Sequence, residues 1–246
     1  MNNSFRAILI FAWITVLVSN ADATTNLGFK VAQRNIGDRL EIEKNSASGE
    51  SCRCPLRLFS FTPRNILFAG SLVSLVALSS TIDQPISSSI LDLDEPYANT
   101  LSDVGHCYQN SFFILGSAAS LYAFGWTYER SDFKRVGLEI IEAFALAGVG
   151  TQIIKHLAGR ARPFTGDGPG YFTGPTTSSN KYLSFISGDV TSAFALSTVL
   201  SEEMRSLPFS VFVYSLASAT AFQRIYTDQH WFSDTVGGAI WATAIG

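Results

Sequence analysis

Charge is scarce in this sequence. Its 246 residues include 17 Lys or Arg and 20 Asp or Glu, 15% of the chain, where a typical soluble domain carries about 25%. With 47% hydrophobic residues, that scarcity excludes a disordered chain, which depends on high charge and low hydrophobicity. A net charge of -3 sets up no global field for a polyanion, so nucleic acid is not an expected partner and any anion site must be local. Cysteine is sparse as well: Cys52, Cys54 and Cys107 are an odd count with a tight C-x-C pair and define no disulfide framework. One bridge from Cys52 or Cys54 to Cys107 and three free thiols both fit, and no histidine lies at metal-ligand spacing from the pair. Internal repeats, low-complexity tracts and strand-like alternation are missing too.

What is present begins with an address. Arg6 precedes an uncharged apolar stretch, Ala7 to Val18, followed by Ser19-Asn20-Ala21-Asp22-Ala23, the small-x-small ending of a signal-peptidase site. That stretch is too short to cross about 30 Å of hydrocarbon. Residues 1–23 therefore read as a secretory signal peptide, with an uncleaved anchor as the alternative. Residues 24–63 read as a polar lead-in, and residues 64–246 as one helical domain long enough to bury its own core.

Within that domain, apolar stretches lie at 65–82, 107–128, 136–154, 190–204, 208–223 and 235–246, separated by Asp, Pro, Gly and Ser clusters. The expected fold is all-α, a six-helix bundle with its site at one end and part of it embedded in a membrane as one option. Residues 83–106, with five acids and no Lys or Arg, read as a loop. Glu139 and Glu142 read as polar partners inside the bundle. The last stretch stops abruptly at Gly246, and a truncated chain is one reading of that.

After residue 135 only Lys155, Arg160, Arg162, Lys181, Arg205 and Arg224 carry a positive charge at neutral pH. Three of them crowd into Lys155-His-Leu-Ala-Gly-Arg160-Ala-Arg162-Pro163, which fits either an anion site or a solvated helix C-terminus. Ser184-Phe-Ile-Ser187-Gly188-Asp189 opens the next helix, where Ser187 is a good N-cap and the backbone N–H groups beyond it suit a phosphate. Arg224-Ile-Tyr-Thr-Asp-Gln-His230-Trp-Phe-Ser-Asp234 places His230 and Asp234 four apart. If a helix begins near His230, the two share one face and the carboxylate can hold the Nδ1 proton. In an up-and-down bundle all three elements fall at the same end.

Together and in this order, Lys-x6-Arg-Pro, Ser-Gly and Arg-x5-His-x3-Asp resemble the signature of the type 2 phosphatidic acid phosphatase superfamily, which also contains vanadium-dependent haloperoxidases and bacterial acid phosphatases. The resemblance is best over residues 136–246. It implies that His230 attacks phosphorus to form a phosphohistidine, that Asp234 holds its tautomer, and that water releases phosphate. It also implies that Lys155, Arg162, Arg224, the Ser187 hydroxyl and the Gly188 N–H surround the phosphoryl oxygens, with no metal and no cofactor.

Position 189 departs from the pattern. The resemblance implies Pro-Ser-Gly-His where this chain has Ile186-Ser187-Gly188-Asp189, so the histidine that protonates the leaving oxygen is replaced by Asp189. A carboxylate with an ordinary pKa of about 3.9 holds no proton near neutrality. Three outcomes stay open: Asp189 acts as an acid at low pH, the substrate has a leaving group that needs none, or the protein binds phosphate without turnover.

Partners and placement follow. The expected substrate is a phosphorylated lipid or a small phosphate ester, and the sequence leaves the oligomeric state open. By the positive-inside tendency, the seven Lys or Arg of residues 24–64 are cytoplasmic and the motif loops external. A cleaved signal with every stretch spanning gives the reverse. The two agree if several stretches do not span. The expectation is an exported, membrane-associated protein with a periplasm-facing site, and a soluble periplasmic bundle is the alternative.

Overall fold

A computed structural model describes residues 63–93, 96–176 and 179–246. The expected signal peptide, most of the polar lead-in, Cys52 and Cys54 lie outside the described residues, and Cys107 is exposed. Eight α-helices form among the described residues: α1 (Pro63–Ser80), α2 (Asp83–Leu91), α3 (Pro96–Tyr108), α4 (Ser111–Thr127), α5 (Ser131–Ala158), α6 (Gly188–Met204), α7 (Leu207–Tyr226) and α8 (Phe232–Ile245). Two 3-10 turns, Pro163–Thr165 and Asn180–Tyr182, punctuate the long α5–α6 connection.

Local signals account for two of the boundaries around the site and its supporting helices. Asn110 caps α4 by accepting the Phe112 N–H at 2.8 Å. Gly159 ends α5 in the left-handed region at φ 60°, and a Cβ there would lie 2.0 Å from the Gly174 carbonyl oxygen, so this C-cap requires glycine.

The all-α bundle is as expected, with two helices more than the six apolar stretches. The region expected as an acidic loop folds into α2 and α3. Its sparse apolar positions, Ile86, Ile90 and Ala98, pack on Phe222, Ile225, Phe232 and Val236 of α7 and α8. Its hydroxyls bond back to carbonyls one turn earlier, as Ser89 does to Pro85 and Thr100 to Pro96. A narrow stripe among polar residues is hard to see by composition, but burying it drives helix formation all the same. Glu139 and Glu142 are likewise not inside the bundle: Glu139 pairs with Arg135 and Glu142 is exposed.

α6 is the central helix, packed against α5, α7 and α8. Val190, Phe194, Leu196 and Val199 are buried along it, and alanines 143, 147, 193, 195, 217, 239 and 242 at the seams let the helices approach closely. Each large apolar side chain buried here contributes about 1.5–3 kcal/mol. α5 has a different outer face, with Leu138, Leu146, Val149, Ile153 and Leu157 exposed. It is the one described helix long and apolar enough to cross a membrane, by length and composition.

The alternating course of α5 to α8 brings the end of α5, the start of α6 and the α7–α8 loop to one end of the bundle.

Candidate active site

Hydrogen bonds between loops assemble this end. After Gly159 the chain runs past Arg160 to Arg162, where the Ser184 N–H donates to the Arg160 carbonyl at 3.1 Å and the Arg162 N–H to the Lys181 carbonyl at 2.9 Å. Trp231 Nε1 donates to the Ala161 carbonyl at 2.9 Å, tying the α7–α8 loop to this segment. The Ser187 N–H donates to the Asp234 carbonyl at 3.0 Å. A Cβ on Gly238 would sit 2.7 Å from the Ser187 carbonyl, so glycine is what lets α8 approach the start of α6 this closely.

The spacing from Arg224 to His230 has a local cause. The chain leaves α7 and folds back so that the Arg224 carbonyl accepts both the Gln229 N–H at 3.0 Å and the His230 N–H at 3.2 Å. His230 thus stands in the loop before α8 and not on the helix itself, a correction to the shared-face expectation. It still meets Asp234, because Asp234 is in the first turn of α8 and accepts the Trp231 N–H at 2.9 Å, half of a capping box. His230 Nδ1 lies 3.6 Å from Asp234 Oδ2. That is ion-pair reach without a hydrogen bond, and Nδ1 is buried with no hydrogen-bond partner.

The other expected residues gather around this pair. Lys155 is buried in the last turn of α5, and its Nζ would lie 3.8 Å from a Cβ on Gly188. Arg162 is pinned by donating from Nε to the Asn180 carbonyl, from Nη1 to Gln229 Oε1 and from Nη2 to Asn180 Oδ1. Arg224 Nε is 3.3 Å from Asp189 Oδ2 but makes no hydrogen bond, and the buried Ser187 Oγ has no partner either. Asp189 is the outermost member, its side chain 44% exposed, in the first turn of α6 where an acid suits the helix dipole. His156 is turned away, its Nδ1 2.7 Å from the Gln152 carbonyl oxygen.

Arg160 plays a different part from Arg162. It is 2% exposed and spends all five N–H donors on the protein: Nε and Nη2 on the Pro169 carbonyl, Nη1 on Ser233 Oγ and Asp234 Oδ1, and Nη2 again on Asp83 Oδ2. The rings of Phe172 and Trp231 flank it at 5.3 and 5.9 Å. With no donor left, Arg160 braces the site, whereas each terminal nitrogen of Arg162 keeps a free N–H. Arg160 was legible in the sequence as a cation beside the motif. Asp83, Ser184 and Ser233, which complete the network, carried no sequence signal beyond the placement of Ser184 next to Ser-Gly.

The electrostatics favour a neutral imidazole facing an anion. Burial pushes the His230 pKa down and the negative charge of the nearby Asp234 opposes it, while Lys155 and Arg162 push it further down. Burial also lowers Arg162, with Arg224 adding to the effect and Asp189 and Asp234 opposing. Three cations held this close together destabilise one another, and an anion between them would relieve that. Among the described residues no three His, Cys, Asp or Glu side chains gather as metal ligands. The donor set suits an oxyanion.

Comparison with known proteins accords with this geometry. The PAP2 superfamily model matches residues 136–246, the segment holding every residue of the cluster except Asp83. Two solved structures share the fold. LpxE of Aquifex aeolicus is 19% identical, with a TM-score of 0.51 over 67% of this chain and 92% of that one. The first transmembrane PAP2 type phosphatidylglycerolphosphate phosphatase from Bacillus subtilis is 20% identical, with a TM-score of 0.53 over 71% of this chain and 90% of that one. No curated protein matches by sequence.

Proposed function

We propose that the protein is a phosphohydrolase that removes phosphate from a lipid phosphate or lipid diphosphate through a phosphohistidine on His230. One observation carries this reading. Buried polar atoms of Ser187 and Arg224 that lack hydrogen-bond partners lie in one cluster with Lys155, Arg162 and the Gly188 N–H, beside a buried His–Asp pair. A tetrahedral oxyanion supplies the acceptors that this cluster lacks.

In the first step His230 Nε2 attacks phosphorus, a P–N bond forms, and the P–O bond to the leaving group breaks. Lys155, Arg162, Arg224, Ser187 and the Gly188 N–H take the charge spread over the equatorial oxygens. Asp234 keeps the proton on Nδ1 and stabilises the imidazolium as their contact shortens in the complex. Water then attacks phosphorus, the P–N bond breaks, and inorganic phosphate leaves.

Asp189 decides the substrate. A protonated Asp189 would donate to the leaving alkoxide, so an acid role gives an acid-shifted optimum. A diphosphate expels a phosphate monoester and needs no such proton. A second reading, a phosphate-binding protein impaired in turnover, draws on the same Asp189 to Arg224 contact, which sets an anion beside a substrate cation.

The apolar outer face of α5 and the PAP2 membrane enzyme of the same fold support membrane association. On the signal-like N-terminus we place the site on the periplasmic side, with a soluble periplasmic protein as the alternative.

The test is phosphate release from a lipid diphosphate and a lipid monophosphate by wild type, Asp189→His and His230→Ala. Wild-type activity lost in His230→Ala supports the enzyme, and its substrate ratio measures the need for an acid. Activity in Asp189→His alone supports the impaired reading. Activity that survives His230→Ala overturns both.

A further inference from the structure

The cation Arg160 lies between two buried carboxylates, and only one of them belongs to the histidine pair. Asp234 receives Arg160 Nη1 on Oδ1, at 2.6 Å, leaving Oδ2 for Ser184, the Trp231 N–H and His230. Asp83, fully buried at the start of α2, receives Arg160 Nη2 on Oδ2 at 2.7 Å, and both the N–H and the hydroxyl of Ser233, each at 2.7 Å. Burial pushes the Asp83 pKa up, and the bonds from Ser233 and the charge of Arg160 oppose it; all these partners donate, so Asp83 serves as an acceptor. Asp83 lies outside the residues matched to the superfamily, and no element of the expected site contains it.

Removing one partner from a buried ion network leaves a charge uncompensated. A lone Asp234 facing Arg160 would be neutralised by a full guanidinium at 2.6 Å. A second carboxylate on the same guanidinium divides its charge and returns negative character to Asp234.

We propose that Asp83 is a positioning residue for the reaction: through Arg160 and Ser233 it fixes the place of Asp234 and preserves its charge, and thereby orients and activates His230. This rests on the phosphohistidine reading. The groups facing the His230–Asp234 pair are Lys155 from α5, Arg160 and Arg162 from the following loop, Ser184 before α6, Asp189 and Arg224 at the mouth, and Asp83 from α2. Asp83 reaches the pair through Arg160, and Asp189 stands beside Arg224. Asp83→Asn keeps the size of the side chain, removes its charge and turns one acceptor into a donor facing donors, so the imidazolium is less stabilised and the acid limb of kcat/KM moves to lower pH.

The experiment compares Asp83→Asn, Ser233→Ala and His230→Ala in full-length protein, in whichever of wild type and Asp189→His turns over. It measures phosphate release from a lipid diphosphate across pH, together with thermal melting. Asp83→Asn is expected to lower kcat by about 10- to 100-fold with KM within about twofold and with the acid limb displaced downward. Ser233→Ala keeps the charge and loosens the support, so it lowers kcat less and leaves the limb in place. A purely structural role would reduce the folded fraction without moving the limb, and that result overturns the inference. So does a wild-type kcat in Asp83→Asn. If Asp83→Asn does not fold, Ser233→Ala decides: lower kcat at constant KM supports the inference, and a wild-type kcat overturns it. Activity that survives His230→Ala overturns the phosphohistidine reading instead.

Discussion

The two ends of the bundle use the same pairing, an arginine with two carboxylates, in opposite surroundings. At the site end Arg160 is 2% exposed and bridges Asp83 and Asp234. At the far end Arg135 has a 51% exposed side chain and bridges Glu139 and Glu203, both at 2.7 Å. The contacts are equally short, but water screens one set and not the other. A buried guanidinium that loses its partners, or leaves them, costs several kcal/mol. A surface pair contributes about 0–1 kcal/mol. Short distance therefore says little about importance until burial is known.

Arg160→Met sharpens the contrast most. It strands two buried carboxylates, and denaturant unfolding should show a loss of about 3–5 kcal/mol together with loss of phosphate release. Stability within 1 kcal/mol of wild type would mean that Asp83 and Asp234 are solvated, and the buried-network description would be wrong. Arg162→Ala should separate bracing from binding at the same end. It lowers kcat/KM by about 10²–10³-fold with a smaller stability loss than Arg160→Met, since Arg162 holds only neutral acceptors. Equal stability losses would erase that distinction.

The third expectation concerns pH. His230 is buried with its pKa lowered below the ordinary value of about 6.5, so as pH falls through that value the unfolded chain takes up the proton first. Stability is lost at up to about 1.4 kcal/mol per pH unit from this group. In His230→Gln this part of the slope should vanish, as seen by unfolding between pH 7 and 5. A slope the same as wild type would place a charged or solvated imidazole in the folded protein. The smallest effect is at the far end, where Arg135→Ala should change stability by less than about 1 kcal/mol and leave phosphate release unchanged. A larger loss would make the surface network comparable to the buried one.

The difference between the ends also explains what could be read from the sequence. Lys155, Arg162, Ser187, Gly188, Arg224, His230 and Asp234 were legible because each is bound to a helix end at fixed spacing, and helix ends obey local rules of capping and direction. Helix parity then placed them together. Asp83 was not legible, because its place in the network depends on a contact 77 residues away in the chain that no local pattern encodes. α2 and α3 were missed for a related reason: their buried stripe is narrow and surrounded by acids and hydroxyls. The helical position expected for His230 was also inaccurate, since the loop's return to the Arg224 carbonyl sets where that side chain stands.

Covalent chemistry on His230 is tested by a rapid mix with a lipid diphosphate radiolabelled in its terminal phosphate, quenched in alkali, with wild type, Asp189→His and His230→Ala compared. A base-stable, acid-labile phosphate bound to protein is expected in the form that turns over, and none in His230→Ala. Turnover without bound label, or label that persists in His230→Ala, would contradict it.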